Sequence, residues 1–377
     1  MSYLENNGKT KKESHEENGG TPMKKFLAIA LVLTMALMAG CAPTQVHVCP
    51  ESLETQAATE APAQVPEASV PAGAVKTGLA IVTDVAGSTP AADGAEGVAE
   101  FNVTLVAVTV DGKGVIDSCV IDSIKSQVNF GADGSITTDL TAAPATKNEL
   151  GDAYGMKAYG GAAYEWYEQA QALADYAVGK TVEELKNGAV DESGKAADAD
   201  LASVATIHLG GFVSAIEKAA ANARDLGAMA GDKLTLTTLN SLESSTGATA
   251  EAGGLVQLDA NVVALTRRGE VITSCILDAV QAKVEIDAAG AILTDLTAAP
   301  QTKNELGEAY GMKMYAGSAY EWNEQAAAFA AYVTGKTAEE VAGIAVGERA
   351  EPTDADLAST VTISVGGFQG LIAKACR

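Results

Sequence analysis

The sequence is short of the residues on which several kinds of function depend. It contains three histidines, none of which recurs in the internal repeat described below, and it has no Cys-x-x-Cys-His motif. A repeated histidine-ligated metal site and covalent haem attachment are therefore not expected. A serine, histidine and aspartate set cannot be built in both repeats either. We accordingly predict a protein that is not an enzyme, with no catalytic residues and no metal.

Basic residues are also scarce. The chain has 25 lysines and arginines against 49 aspartates and glutamates, which gives a net charge of −24. Binding to nucleic acid or to an anionic surface depends on clustered basic side chains that displace counterions. We therefore exclude nucleic acid as a partner and attribute the acidity mainly to solubility.

The five cysteines show no pairing pattern. Cys119 and Cys275 occupy equivalent positions in the two repeats, and each lies in a run with β-strand character, so we predict buried free thiols. A fold held together by disulfides is not expected.

The one long apolar run lies near the N-terminus. Met23 begins a basic segment followed by an apolar stretch that is too short to cross a bilayer comfortably, which is typical of an export signal over residues 23–40. The residues Leu37-Met38-Ala39-Gly40-Cys41 resemble the bacterial lipobox, and this resemblance implies that Cys41 carries lipid. The alternative is a plain secretory peptide with an incidental cysteine. Residues 1–22 are polar and charged, and we interpret them as a non-native extension before the true start.

Residues 41–75 are rich in proline, alanine, glutamate and threonine. A segment of this composition cannot bury enough apolar surface to fold, so we predict a disordered tether. Its root-mean-square reach would be roughly 30 Å. These features together predict a protein anchored by lipid to the extracytoplasmic face of the cell membrane.

The rest of the chain is an internal repeat. Residues 76–220 recur almost position for position as residues 233–376, and the copies differ in length by one residue within Asp111-Gly112-Lys113-Gly114. A length change in a turn disturbs no packed element. We therefore predict two domains in tandem, a first repeat over residues 76–229 and a second repeat over residues 230–377, each long enough for a hydrophobic core.

Each repeat begins with strand patterns and ends with helix patterns. Val98–Val110 and Val115–Ile124 predict a hairpin, and Val128–Phe130 with Ser135–Thr137 predict a second, shorter one. Capping boxes begin at Thr146 and Thr181, a helix is predicted over Tyr164–Val178, and another over Val213–Arg224. This order predicts an α+β fold in which a mostly antiparallel sheet is covered by helices.

One block is nearly identical in the two repeats. Residues 138–156 differ from residues 294–312 at only two positions. We predict that this block and the helix after it line a ligand pocket, in which aromatic and methionine side chains stack on a planar ligand and lysine meets an anion. The alternative is that the aromatic residues belong to the core and the polar ones cap helices. The predicted pocket residues are Lys147, Tyr154, Met156, Tyr164, Glu165 and Trp166, with Lys303, Tyr310, Met312, Tyr320, Glu321 and Trp322.

A second candidate site is the motif Asp200-Leu201-Ala202-Ser203-Val204-Ala205-Thr206, which recurs from Asp356 to Thr362. It resembles the motif of the FMN-binding domain family, an aspartate, two variable residues and Ser-Gly-Ala-Thr, followed closely by a helix. In that family the threonine receives FMN through a phosphodiester bond. The resemblance implies FMN as cofactor, with binding residues Asp200, Ser203, Thr206, Asp356, Ser359 and Thr362. Val204 and Thr360 replace the family's glycine and Val361 its alanine, so non-covalent binding stays open.

The sequence therefore predicts an exported, lipid-anchored protein whose tandem domains bind FMN or a similar flavin for extracytoplasmic electron transfer with a redox partner. The alternative is a non-redox surface lipoprotein that binds a wall component, a peptide or another small ligand. A further string, Ser245-Thr246-Gly247-Ala248-Thr249, matches the family's letters, but the equivalent residues from Ser88 do not. We interpret it as chance.

Overall fold

The computed structural model describes residues 73–377. The predicted extension over residues 1–22, the signal peptide over residues 23–40, the lipidated Cys41 and nearly all of the tether lie outside the described residues. Within the described residues, no helix has the length and apolar character needed to cross a membrane.

Each repeat begins with a three-stranded antiparallel sheet whose strands pair in chain order. The strands are β1 (Val75–Asp84), β2 (Gly97–Asp111) and β3 (Ile116–Phe130), then β4 (Lys233–Ser241), β5 (Gly254–Arg268) and β6 (Val271–Ile286). The hairpin predicted at Asp111 is present, since β2 and β3 pair antiparallel on either side of this turn. The Asp111 carboxylate stabilises the turn by accepting hydrogen bonds from the amides of Lys113 and Val115 at 2.8 and 2.9 Å. The second, shorter hairpin is also present: Phe130 forms an antiparallel bridge with Ile136, and the Thr137 amide donates to the Asn129 carbonyl at 3.0 Å. Its first arm is not a separate strand but the end of β3, which runs unbroken to Phe130.

The helices follow in the same order in both repeats. In the first repeat they are α1 (Lys147–Leu150), α2 (Met156–Gly160), α3 (Trp166–Ala177), α4 (Val182–Gly188), α5 (Ala199–Val204) and α6 (Gly210–Ala221). In the second they are α7 (Lys303–Leu306), α8 (Met312–Ala316), α9 (Trp322–Val333), α10 (Ala338–Ala342), α11 (Ala355–Ala358) and α12 (Gly366–Ala375). A 3₁₀ turn precedes α2 and another precedes α8. The predicted helix from Val213 starts earlier, at Gly210, and ends at Ala221.

The two sheets share one hydrophobic core. The inner face of the first sheet, with Phe101 and Leu105 fully buried, packs against the inner face of the second, with Leu258 and Val262 fully buried. The outer face of the first sheet is covered by α3 and α6, and that of the second sheet by α9 and α12. The fold is thus α+β, in four layers ordered helices, sheet, sheet, helices.

Contacts between the repeats come in reciprocal pairs. Lys218 on α6 forms an ion pair with Glu305 at 2.5 Å, and its equivalent on α12, Lys374, pairs with Glu149. The amide of Ala91 donates to the Gly290 carbonyl at 2.9 Å, and the equivalent amide of Ala248 donates to the Gly134 carbonyl at 2.8 Å. This exchange of equivalent residues is the pattern of a twofold homodimer interface, here built within one chain. The described residues of both repeats accordingly belong to one compact unit.

Candidate functional site

The predicted residues Lys147, Tyr154 and Trp166 meet in the structure, and we call them the first lysine cluster. The Lys147 ammonium lies 5.0 Å from the centre of the Tyr154 ring and 4.9 Å from that of Trp166. The second lysine cluster, Lys303, Tyr310 and Trp322, repeats this geometry at 4.8 and 5.0 Å. Both arrangements are cation–π contacts, which hold the ammonium beside the rings.

Each lysine cluster is fixed by a helix start that the sequence predicts. The Thr146 hydroxyl accepts from the Glu149 amide at 3.2 Å, and the Glu149 carboxylate accepts from the Thr146 amide at 2.9 Å. This capping box orients α1 so that Lys147 reaches over Tyr154 and Trp166. The same box at Thr302 and Glu305 orients α7.

A buried carboxylate that the sequence analysis missed lies beneath each of these helix starts. Asp122 on β3 accepts from the amides of Asn148 at 3.1 Å and Ser123 at 2.7 Å, and Asp278 on β6 does the same for Asn304 and Ala279. Burial raises the pKa of each aspartate to about 6, although these hydrogen bonds partly oppose the rise. The sequence could have indicated them, because an aspartate occupies this position in both repeats.

The tryptophans belong to the core. Trp166 is 3% exposed and Trp322 is 5% exposed, and each makes an edge contact with a phenylalanine, Phe212 or Phe368. The indole rings therefore have little surface free to stack on a ligand. In this respect the structure favours the core alternative for the tryptophans, whereas Lys147 and Tyr154 are only partly buried.

The predicted Glu165 acts as a buried cap. Its carboxylate accepts from the amides of Met156 and Lys157 at 2.8 and 3.1 Å, which fixes the start of α2. Glu321 does the same for Met312 and Lys313. The short helices that they cap display strongly exposed tyrosines: Tyr159 on α2 is 91% exposed and Tyr315 on α8 is 82% exposed. Tyr164 and Tyr320, in the segments that follow these short helices, are about two-fifths exposed.

The threonine of the FMN-like motif is held by a buried glutamine. The Gln169 side-chain carbonyl accepts from the Thr206 amide at 2.7 Å, the Thr206 hydroxyl at 3.2 Å and the Ile207 amide at 3.1 Å. Gln325 repeats this arrangement with Thr362 and Ile363. Thr206 and Thr362 are exposed, whereas both glutamines are fully buried. The sequence analysis missed these glutamines, although both recur at equivalent positions.

The other predicted flavin-binding residues of the motif, Asp200, Ser203, Asp356 and Ser359, lie on the surface. Asp200 lies in the first turn of α5, where Asp198 rather than Asp200 caps the helix, and the Ser203 hydroxyl donates to the Asp200 carbonyl at 2.6 Å. Asp356 and Ser359 repeat the latter contact on α11. Residues 205–209 form a loop that leads into α6.

The motif and the first lysine cluster meet on α3. Gln169 lies one helical turn after Trp166, and its side-chain amide donates to the Tyr164 carbonyl at 2.9 Å. The exposed Thr206 and the exposed Tyr164 are thus linked through one buried side chain. The second repeat has the same link through Gln325 and Tyr320.

The string Ser245–Thr249 has different surroundings. The Thr249 hydroxyl accepts from the amides of Glu251 and Ala252, and the Ala248 amide donates to Gly134 of the other repeat. A strand, β5, follows it rather than a helix. These contacts agree with its interpretation as a chance match.

The cysteine prediction is confirmed for the described pair. Cys119 and Cys275 are free and buried. Burial raises the pKa of the Cys119 thiol to about 12, and it raises that of Cys275 as well. Both thiols are therefore inert at neutral pH.

Comparison with known proteins gave no match to a family model, to a curated protein or to a solved structure. Among residues 73–377, no three His, Cys, Asp or Glu side chains come together in a way that could hold a metal ion.

Replacing Gln169 by leucine should release the Thr206 loop without moving its counterpart in the second repeat. The substitution leaves the Thr206 and Ile207 amides without their acceptor, which costs about 1–3 kcal/mol. We expect amide hydrogen exchange over residues 205–209 to accelerate by about tenfold or more. Residues 361–365 serve as the internal control, since Gln325 is unchanged, and equal exchange in both loops would contradict the assigned role of Gln169.

Proposed function

We propose that this chain binds a flavin of the FMN type, with one site in each repeat, as an exported and lipid-anchored protein that transfers electrons outside the cytoplasm. Thr206 and Thr362 are the points of attachment or closest contact. Asp200, Ser203, Asp356 and Ser359 flank them on the surface, and α3 and α9 connect the threonines to the lysine clusters, because each helix carries both the glutamine and the tryptophan. A flavin would supply the redox chemistry, and the protein would supply binding and tuning.

This proposal rests mainly on how the structure holds the motif threonines, Thr206 and Thr362. Each is exposed, yet its amide and hydroxyl are fixed by a fully buried glutamine, at nearly the same distances in both repeats. A threonine with a purely structural role needs no exposed position. A threonine that is to carry or contact a phosphate needs both a fixed backbone and access.

The helices after the motif support a phosphate in this position. The 12-residue α6 begins at Gly210, four residues after Thr206, and the 10-residue α12 begins at Gly366, four residues after Thr362. The N-caps of both helices, Leu209 and Val365, provide no side-chain cap, although the Gly210 amide at the start of α6 already donates to the Gly194 carbonyl at 3.1 Å. Uncapped amides at a helix start carry partial positive charge and favour phosphate groups.

The visible absorption spectrum of the protein purified from its native membrane tests the proposal. We expect flavin absorption. Flavin that stays with acid-precipitated protein would be covalently bound, and flavin released by acid would be bound non-covalently. For covalent flavin, Thr206→Ala and Thr362→Ala should each remove one of two equivalents, and the double variant should remove both.

Thr249→Ala is the matched control, because Thr249 ends the string that fits the family's letters but lies in a different setting. It should keep both equivalents. A colourless protein that also fails to take up added FMN would contradict the flavin proposal. That result would favour the non-redox alternative, for which the exposed Tyr159 and Tyr315 offer stacking surfaces for a wall component, a peptide or another small ligand.

A further inference from the structure

A cavity of about 590 Å³ lies in the second repeat, beside α9. Its floor is the outer surface of β6 around Cys275 and Leu277, its wall is one side of α9, and its rim includes residues 224–226 of the segment that follows α6. Pockets that hold small molecules commonly measure about 300–1,000 Å³. The cavity thus has the size of a small-molecule site.

The walls of this cavity are largely apolar. Ala327, Ala330 and Ala331 contribute methyl groups from α9, and Leu226 and Leu277 contribute larger apolar surfaces. Such walls favour a ligand whose body is apolar, because the contact removes apolar surface of both partners from water.

One polar atom beside the cavity lacks a partner. Asn323 lines the cavity, and its Oδ1 is buried without a hydrogen bond to any described residue. Buried acceptors in folded proteins are normally paired. A ligand that carries an N–H or O–H group would satisfy this oxygen.

The charges around the cavity balance. Arg224 and Asp225 bring opposite charges to the rim side by side, and Glu324 forms an ion pair with Lys313 at 2.8 Å. No excess of one sign is therefore available to select an ion. This balance favours an uncharged ligand.

The first repeat has a different surface at the same place. Its equivalents of Asn323, Ala327 and Ala331 are Tyr167, Gln171 and Asp175, which are all larger side chains or carry polar ends. Tyr167 donates to Asp152 at 3.2 Å, and Gln171 donates to Asp175 at 2.7 Å. The first repeat also has a cavity here, of about 490 Å³, but Tyr167, Gln171 and Asp175 line it with polar groups. The smaller residues on α9 thus make the second-repeat cavity larger and more apolar.

This cavity is separate from the proposed flavin site. At 3.6 residues per turn, Asn323, Ala327 and Ala331 lie on roughly the opposite side of α9 from Gln325, which holds Thr362. An inference about the cavity therefore does not depend on flavin.

We propose that this cavity is a second binding site, for a small uncharged molecule with an apolar, aromatic body and at least one N–H or O–H donor. The body fills the space over Ala327, Ala331 and Leu277. The donor group bonds to Oδ1 of Asn323.

The dye N-phenyl-1-naphthylamine is a suitable probe, since it is neutral, aromatic, carries one N–H and fluoresces more strongly in apolar surroundings. We expect saturable binding of one dye per purified chain. The variant Ala327→Gln with Ala331→Asp introduces the residues that the first repeat already holds at these positions, and it should weaken binding at least tenfold. The matched control Gln171→Glu with Asp175→Asn, in the first repeat, keeps that surface polar and should change the affinity by less than twofold.

A second variant tests the proposal independently if the double variant does not fold. Asn323→Leu removes the unpaired acceptor, so the preference for the dye over 1-benzylnaphthalene, which has no N–H, should disappear. Circular dichroism verifies the fold of each variant, and Ala327→Gln alone replaces the double variant if needed. Absence of saturable binding, or binding that neither Ala327→Gln nor Asn323→Leu alters, would overturn the proposal.

Discussion

Replacing Phe101 by alanine is expected to destabilise both repeats together, by about 3–5 kcal/mol in the free energy of unfolding. Phe101 lies on β2, is 0% exposed and belongs to the core that the two sheets share. Removing its ring opens a cavity that borders both sheets. Because neither inner sheet face is covered without the other, the two repeats should unfold in one transition.

The tryptophans allow each repeat to be followed separately. The sequence has two, Trp166 in the first repeat and Trp322 in the second. Urea unfolding of Trp166→Phe and Trp322→Phe variants, with and without Phe101→Ala, should give the same shift of midpoint for both reporters. Val82→Ala, at a β1 position that is 39% exposed, is the control and should shift the midpoint far less. If Phe101→Ala left the urea midpoint reported by Trp322 unchanged, the repeats would fold independently.

Replacing Asp122 and Asp278 together by asparagine is expected to stabilise the protein at pH 8 and to leave its stability at pH 4 nearly unchanged. Asparagine keeps the oxygen that accepts the amide hydrogen bonds of Asn148 and Asn304, but it carries no charge into the buried site. The expected gain at pH 8 is about 2–3 kcal/mol for each site, since the pKa of each aspartate is raised to about 6 from an ordinary value near 3.9.

The direction of the pH effect follows from proton binding. Between about pH 4 and pH 6 the folded protein holds a proton on each aspartate that the unfolded chain has released, so wild-type stability falls as pH rises through this range and levels off above it. The double variant should lack this fall.

Urea midpoints of both proteins measured from pH 4 to pH 8 check this prediction. Asp139→Asn is a control of opposite sign, because hydrogen bonds from Thr141 lower the pKa of the exposed Asp139. It should not stabilise the protein at pH 8. Parallel pH curves for the wild type and the double variant would show that the buried aspartates are not the cause.

The parts of the fold that depend on neighbouring residues could be predicted from the sequence. The capping boxes at Thr146 and Thr181 and the hairpin at Asp111 are local, and all three are present. Strand β1 was not predicted, because it is buried on both faces over most of its length and lacks the alternation that marks a half-exposed strand. The core that the two sheets share could not be predicted from the sequence either, since strand patterns do not indicate what covers each face of a sheet.

The candidate site likewise has residues that could be predicted from the sequence and residues that could not. Lys147 and Tyr154 could be found because the block that contains them is nearly identical in both repeats. The contact of Gln169 with Thr206 spans 37 residues, and that of Asp122 with Asn148 spans 26. Only the folded chain brings these pairs together, although the recurrence of both residues in the second repeat was visible. The core position of the tryptophans depends on how α3 and α9 turn toward their sheets.

The four-layer arrangement places the two proposed binding sites in separate layers of the molecule. The two lysine clusters lie in the outer layers of different sheets, with both sheets between them. A single flat partner therefore cannot cover both clusters, and the two sites cannot strengthen one encounter through avidity, which requires simultaneous engagement. Under the proposed function, the duplication would instead let one chain bridge two separate partners, each held at its own face.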